Sequence, residues 1–245
     1  IAVGASNSSF ADGPVRKTGN TAFIFPVGKS NCGVTGTVKG YAPLAISNFT
    51  GGLASDQYTA EYKRGDALAL GTISNAGLNH ISRCDYWTLN LVNGTPTVDL
   101  TLYWDETINN CISAAPYVNS LPSLTIAHFN GTNWNSYGVA GNTTGTTTAG
   151  TVTWTGVSTF SPFSIGSIDF LNPLPISIHY LNGGRQGNNH LLSWAVSCGI
   201  APRVTMYLER SSDGVNFSSI YSLTADAVRC ASPFDYTDAQ PLKGP

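Results

Sequence analysis

Charge is scarce in this chain. Lysine, arginine, aspartate and glutamate make up 11% of its 245 residues, and the net charge is −2. Without a Lys/Arg cluster the chain offers no electrostatic footprint for nucleic acid or for an anionic membrane surface. Long apolar runs are missing too: none approaches the roughly 20 residues that a bilayer-spanning helix needs, so no membrane insertion is expected. The opening Ile1-Ala-Val-Gly lacks the basic and apolar regions of a signal peptide, so an export signal is expected to be removed or to lie elsewhere. Helical periodicity is sustained nowhere, and nothing repeats at a fixed period.

Catalytic motifs are equally sparse. There are three glutamates, Glu61, Glu106 and Glu209, and the closest acidic grouping is Asp99, Asp105 and Glu106. Paired glycosidase carboxylates face each other roughly 5–10 Å apart, whereas Asp99 and Asp105 stand about 20 Å apart on an extended strand. His80, His128, His179 and His190 are scattered, with no His-Glu-x-x-His and no Gly-x-Ser-x-Gly elbow. His128 alternates with Leu124 and Ile126 and reads as a hydrogen-bonded sheet histidine. No Cys-x-x-Cys spacing supports zinc. No calcium loop is present, although Asp12, Asp56 or Asp66 with loop carbonyls leaves an irregular site open. The expectation is a non-enzyme with no cofactor.

What is abundant is Gly, Ser, Thr, Asn and β-pattern. Thr21–Val27, Tyr58–Lys63, Tyr86–Val92, Val98–Trp104, Leu124–Asn130 and Thr151–Val157 read as strands, with Trp87, Leu89 and Leu91 sharing one face. Gly141 to Gly150 is rich in turn formers and reads as an exposed loop or wide hairpin. Many short strands at regular spacing argue for a sandwich or jelly roll. Pro173-Leu174-Pro175 then holds the chain extended, as suits a boundary. Beyond it, His190, Leu192, Trp194 and Val196 alternate with Leu191, Ser193 and Ala195. Val204, Met206 and Leu208 alternate with Thr205, Tyr207 and Glu209, and Asp213-Gly214 predicts a type I′ hairpin turn. The fold class is therefore all-β, with two antiparallel β-sandwich domains: a jelly-roll or sandwich-like domain over 1–168, a Pro-rich linker over 169–175, and an immunoglobulin/fibronectin-like domain over 176–245.

The run Asn172-Pro-Leu-Pro-Ile-Ser-Ile178, then Gly187-Asn-Asn-His-Leu-Leu-Ser-Trp194, then Leu208-Glu-Arg-Ser-Ser-Asp-Gly-Val-Asn-Phe217, resembles a fibronectin-type-III-like module of secreted Bacteroidetes proteins. In those proteins it precedes a type IX secretion sorting domain. Ser9-Phe-Ala-Asp-Gly-Pro-Val-Arg-Lys-Thr-Gly19, Phe25-Pro-Val-Gly28, Tyr58-Thr-Ala-Glu-Tyr62, Tyr86-Trp87 and Phe160-Ser-Pro-Phe-Ser164 resemble a domain that precedes the module. The resemblance implies export and a surface or secreted location, and no particular activity. It also implies further strands after Tyr236–Pro245, so the second sandwich is expected to be unfinished. An oxidising location favours disulfides. Cys198 and Cys230 share the second domain. Cys84 and Cys111 flank a regular strand pair, at places that fit the resembled pattern. Each bridge closes a loop of roughly 30 residues, worth about 3–4 kcal/mol. Cys32 is left over, as a buried free thiol, a link to another chain, or a member of a different pairing.

For recognition, Tyr103 and Tyr86 oppose the apolar parity of their strands, and Trp134 and Tyr137 lie in a turn-rich segment. Trp134, Tyr137 and Tyr103 are thus candidates for stacking on sugar rings, against the alternative that Trp134 and Trp154 cap sheet edges. Six Asn-x-Ser/Thr sequons, at Asn7, Asn48, Asn93, Asn130, Asn142 and Asn216, matter only in a glycosylating host. Two functions remain. One is a non-enzymatic extracellular structural or adhesive surface protein, self-associating or joining other surface proteins, with fibres built by strand addition. The other is a carbohydrate-binding accessory module of a secreted hydrolase, with polysaccharide as partner.

Overall fold

The computed structural model describes residues 5–74, 77–111, 116–160, 162–169, 177–198 and 204–242. The chain is nearly all β and divides into two compact units, Ile1–Pro173 and Leu174–Pro245. The Pro173-Leu174-Pro175 hinge lies outside the described residues. Helix among the described residues is confined to single turns at Ala67–Ala69, Glu106–Asn109 and Ala227–Cys230, and none is long or apolar enough to cross a membrane.

The first unit is a sandwich. Its larger sheet runs, in spatial order, Val15–Thr18, Gln57–Arg64, Asp85–Asn93, Phe163–Ser167, Leu124–Phe129, Asn133–Tyr137 and Thr72–Ile73, with His80–Ile81 added beside Phe163–Ser167. The smaller runs Thr143–Gly145, Ala149–Val157, Thr97–Asp105, Leu44–Thr50 and Phe23–Phe25. Pairing is antiparallel except where Asn133–Tyr137 meets Thr72–Ile73. The strand expected over Thr21–Val27 shortens to Phe23–Phe25, because Pro26 has no N–H for a ladder. The turn-rich segment is a hairpin, with Thr143–Gly145 folded back on Ala149–Val157.

Alternation decides the core. Val98, Leu100, Leu102 and Trp104 point inward from the smaller sheet and meet Tyr58, Tyr62, Trp87 and Leu89 from the larger. Each such side chain contributes on the order of 1.5–3 kcal/mol by leaving water. The Trp87 indole N–H donates to the Ala42 carbonyl at 2.8 Å, so the largest core residue leaves no polar group unpaired.

The motif segments also meet each other. Ala11 N–H donates to the Pro26 carbonyl at 2.7 Å, and Gly28 N–H returns to the Ala11 carbonyl at 3.0 Å. Asp12 accepts from the Ser30 N–H at 3.0 Å, its hydroxyl at 2.7 Å and the Lys29 ammonium at 2.7 Å. Any Cβ at Gly28 would press into the Gly40 carbonyl and the Phe10 ring, which accounts for glycine there.

The larger sheet is covered on its other face as well. Ala67, Leu78, Ile81, Ala127 and Trp134 form a separate buried cluster, with Leu68, Ile73, Tyr86 and Phe129 packed against it. The described part of the connection from residue 65 to 82, residues 65–74 and 77–82, thus lies over a face that alternation alone assigns to solvent. This overturns the reading of Trp134 as an exposed stacking platform: it is 0% exposed, and its indole N–H donates to the Ala67 carbonyl at 3.0 Å.

The second unit pairs Ser177–Gln186, Asn189–Ser197 and Phe234–Asp238 in one sheet and Val204–Arg210 with Ser218–Ala225 in another. Its core is small: Trp194 stacks on Phe234 at 5.5 Å, with Val196, Val204 and Ala225 around them. Both expected bridges are present, Cys84–Cys111 in the first unit and Cys198–Cys230 in the second. The Asp213-Gly214 turn is wider than a type I′ turn. Gly214 has φ of 71°, but Asn48 is the one non-glycine with positive φ among the described residues, so Asp213 does not adopt the required conformation. Instead the Asp213 carboxylate accepts from the N–H groups of Val215 at 2.9 Å and Asn216 at 2.8 Å, closing a loop from Ser211 to Phe217.

Candidate functional site

The three aromatic candidates do not come together. Trp134 and Tyr137 share a strand but lie three residues apart, so they face opposite ways. Trp134 is buried under the 65–82 connection. Tyr137 is 37% exposed and stacks on Trp154 with centroids 4.6 Å apart, which occupies one of its faces. Tyr103 belongs to the smaller sheet and points away from the core, between buried Leu102 and Trp104.

Tyr103 does line a cleft. Together with Asn7, Tyr41, Pro43, Asp105 and Ala149 it borders a depression of about 330 Å³. Tyr41 ends the strand Val38–Tyr41, and Asn7 holds it there by accepting from the Tyr41 N–H at 3.0 Å. Burial raises the pKa of both phenols, and for Tyr41 the nearby Tyr103 adds to it. Both are therefore neutral hydroxyls at physiological pH. Neither hydroxyl has a hydrogen-bond partner among the described residues. Asp105 caps the turn Glu106–Asn109 with one carboxylate oxygen, accepting from the Thr107 N–H at 2.8 Å and hydroxyl at 2.6 Å. Its other oxygen has no partner among the described residues.

Behind this cleft lies a buried polar knot. Asp85 is fully buried and accepts four hydrogen bonds: from the Tyr62 hydroxyl at 2.7 Å, Asn109 Nδ2 at 2.7 Å, the Ser82 hydroxyl at 2.6 Å and the Tyr117 hydroxyl at 2.8 Å. The Arg64 guanidinium donates to the carbonyls of Gly33 at 3.1 Å and Asn109 at 2.7 Å. Burial, then Asp85, drives both phenols well above their usual pKa. No sequence pattern signals this knot, because its members come from five separate segments. A carboxylate with every acceptor position used and no access to solvent pins the loop after Asp105; it has no lone pair to offer a substrate.

The other ionisable candidates are held in structural roles. Asp99 accepts from Asn48 Nδ2 at 2.6 Å and the Gly156 N–H at 3.0 Å. Glu106 accepts from Asn110 Nδ2 and the Tyr117 N–H, both at 2.7 Å. Glu61 pairs with Lys63 at 2.7 Å, and Glu209 is exposed. Asp66 binds Arg83, and Asp56 is fully buried with one oxygen accepting from the Leu53 N–H at 2.8 Å. No group of three His, Cys, Asp or Glu among the described residues is placed to hold a metal.

His128 is buried beside Phe163, with centroids 4.9 Å apart. It lies in the strand Leu124–Phe129 as a packing residue among aromatic rings, and burial lowers its pKa. Burial lowers His80 more, to about 4. Cys32 is a buried free thiol donating to the Lys29 carbonyl at 3.4 Å; burial raises its pKa, so it is a poor nucleophile.

In the second unit an apolar groove of about 270 Å³ opens between the two sheets. Ile178, Leu181, Met206, Tyr207 and Tyr221 line it, and Ile178 is 72%, Leu181 59% and Tyr207 66% exposed. Val204–Arg210 pairs on one side only among the described residues. The groove beside this edge became visible only once the two sheets were placed. The chain matches no family model, no curated protein and no solved structure.

Proposed function

We propose that the chain is a non-enzymatic extracellular structural and adhesive surface protein whose copies associate by strand addition at the second unit. The open groove beside the edge of Val204–Arg210 that no described strand pairs carries this reading. An edge strand offers a row of backbone donors and acceptors, and an incoming strand would satisfy them while placing alternate apolar side chains over Leu181 and Met206. A head-to-tail contact that does not close on itself would extend into a fibre. Two disulfides and the low charge support an oxidising, extracellular setting, as does the resemblance to exported Bacteroidetes proteins.

The test is negative-stain microscopy with light scattering at neutral pH. Rods are expected from the wild-type chain, and Leu181→Asp, at a position already in water, is expected to leave monomers. A monodisperse wild-type species of 25.8 kDa would sink the proposal. The cleft at Tyr41 and Tyr103 favours a second reading, carbohydrate binding, in which the chain serves as an accessory module beside a secreted hydrolase.

A further inference from the structure

We infer that the cleft bordered by Tyr41, Tyr103, Asn7 and the free oxygen of Asp105 binds an uncharged sugar ring of a polysaccharide. The inference deepens the carbohydrate reading and rests on it; it is independent of strand addition.

Three features of the cleft converge. Its volume of about 330 Å³ falls at the lower end of the roughly 300–1,000 Å³ range of small-ligand sites. Two half-buried tyrosines supply apolar ring surface, which suits the C–H face of a pyranose, with hydroxyls left over for polar contact. Those two hydroxyls and one Asp105 oxygen have no protein partner among the described residues, and Asp105 cannot swing away because its other oxygen caps the following turn. A fixed acceptor beside neutral donor–acceptor hydroxyls matches a pair of sugar hydroxyls, each both donor and acceptor.

The charge pattern selects among sugars. Among the described residues no lysine or arginine lines the cleft, and its one acidic side chain is Asp105. A uronate or sulfated residue would bring like charge against Asp105 with nothing to compensate, whereas a neutral hexose meets no such penalty. Asn109 also lines the cleft while donating to Asp85, so the buried knot holds one wall in place before any ligand arrives.

Affinity electrophoresis of the whole chain tests this, in gels containing a neutral glucan, mannan or galactan and in gels containing polygalacturonate. At least one neutral polymer is expected to retard the wild type, and polygalacturonate to leave it unretarded. Tyr103→Ala is expected to weaken retention roughly tenfold, the loss of one aromatic contact. Asp105→Asn keeps an oxygen for the turn, so the fold is retained; it replaces the acceptor with a donor and is expected to weaken retention as well. Leu181→Asp is expected to bind like wild type. Retention by a neutral polymer that survives both cleft substitutions, or equal retention by polygalacturonate, would overturn the assignment of this cleft while leaving carbohydrate binding standing. No retardation by any polymer would overturn both.

Discussion

The first unit buries apolar side chains on both faces of its larger sheet, whereas the second leaves the seam between its two sheets open. Both are antiparallel, both alternate apolar and polar residues, and each carries one disulfide. The difference is how much covers each sheet. In the first unit the smaller sheet closes one face and the 65–82 connection the other. In the second, two strands face three, and Ile178, Leu181 and Tyr207 stay in water. Alternation creates an apolar face; only a second layer removes it from solvent. A small core leaves a unit more dependent on its covalent link.

The contrast can be broken most severely at Asp85. Asp85→Ala strips four donors of their acceptor inside the first unit, and a loss of about 3–5 kcal/mol is expected. Calorimetry should show the first unit's transition falling while the second unit's stays in place. A shift below 1 kcal/mol would show that the knot is not a structural pin.

The disulfides sharpen the same contrast. Replacing Cys198 and Cys230 with serine removes a link worth about 3–4 kcal/mol, comparable to the whole margin of so small a core. The second unit is then expected to be cut rapidly by protease while the first survives. Replacing Cys84 and Cys111 costs a similar amount, yet the first unit is expected to stay folded, because Trp87, Leu100 and their neighbours still exclude water.

Acid should act on the first unit, since His80 and His128 are both buried there. Their folded pKa values lie below the ordinary 6.5, so the unfolded chain takes up protons first as pH falls. Stability is therefore complete above pH 6.5 and declines toward about 4, where folded His80 itself titrates. The His80 contribution is at most about 3–4 kcal/mol. Thermal melts across this range should slope for the wild type and flatten for His80→Asn; parallel slopes would refute the assignment. The smallest effect belongs to the surface: Lys63→Ala removes the 2.7 Å pair with Glu61 and should cost less than about 1 kcal/mol by chemical denaturation.

Much of the architecture was legible in the sequence because strand alternation is a local property. Val98, Leu100, Leu102 and Trp104 could be assigned to the core from their spacing alone, and the two units from the change of pattern near residue 170. Trp134 was not legible. Its cover comes from Ala67, Leu78 and Ile81, more than fifty residues earlier, and no local pattern reports what will lie over a sheet. The Asp213 loop failed for a related reason: a carboxylate that captures Val215 and Asn216 N–H groups outcompetes the tighter turn that Asp-Gly favours. Of the candidate stacking residues, Tyr103 alone lies in the cleft, and its companion Tyr41 is 62 positions away in the chain.

By itself, the sequence determined that this protein is built of antiparallel strands and carries little charge, because side-chain period and composition act over a few residues. Only the tertiary structure decided which aromatics are buried, that Asp85 is sealed among four donors, that Tyr41, Tyr103 and Asp105 line one depression, and that the second unit keeps an open seam. Those outcomes depend on which layer lies over which face, and that is set by contacts between residues far apart in the chain.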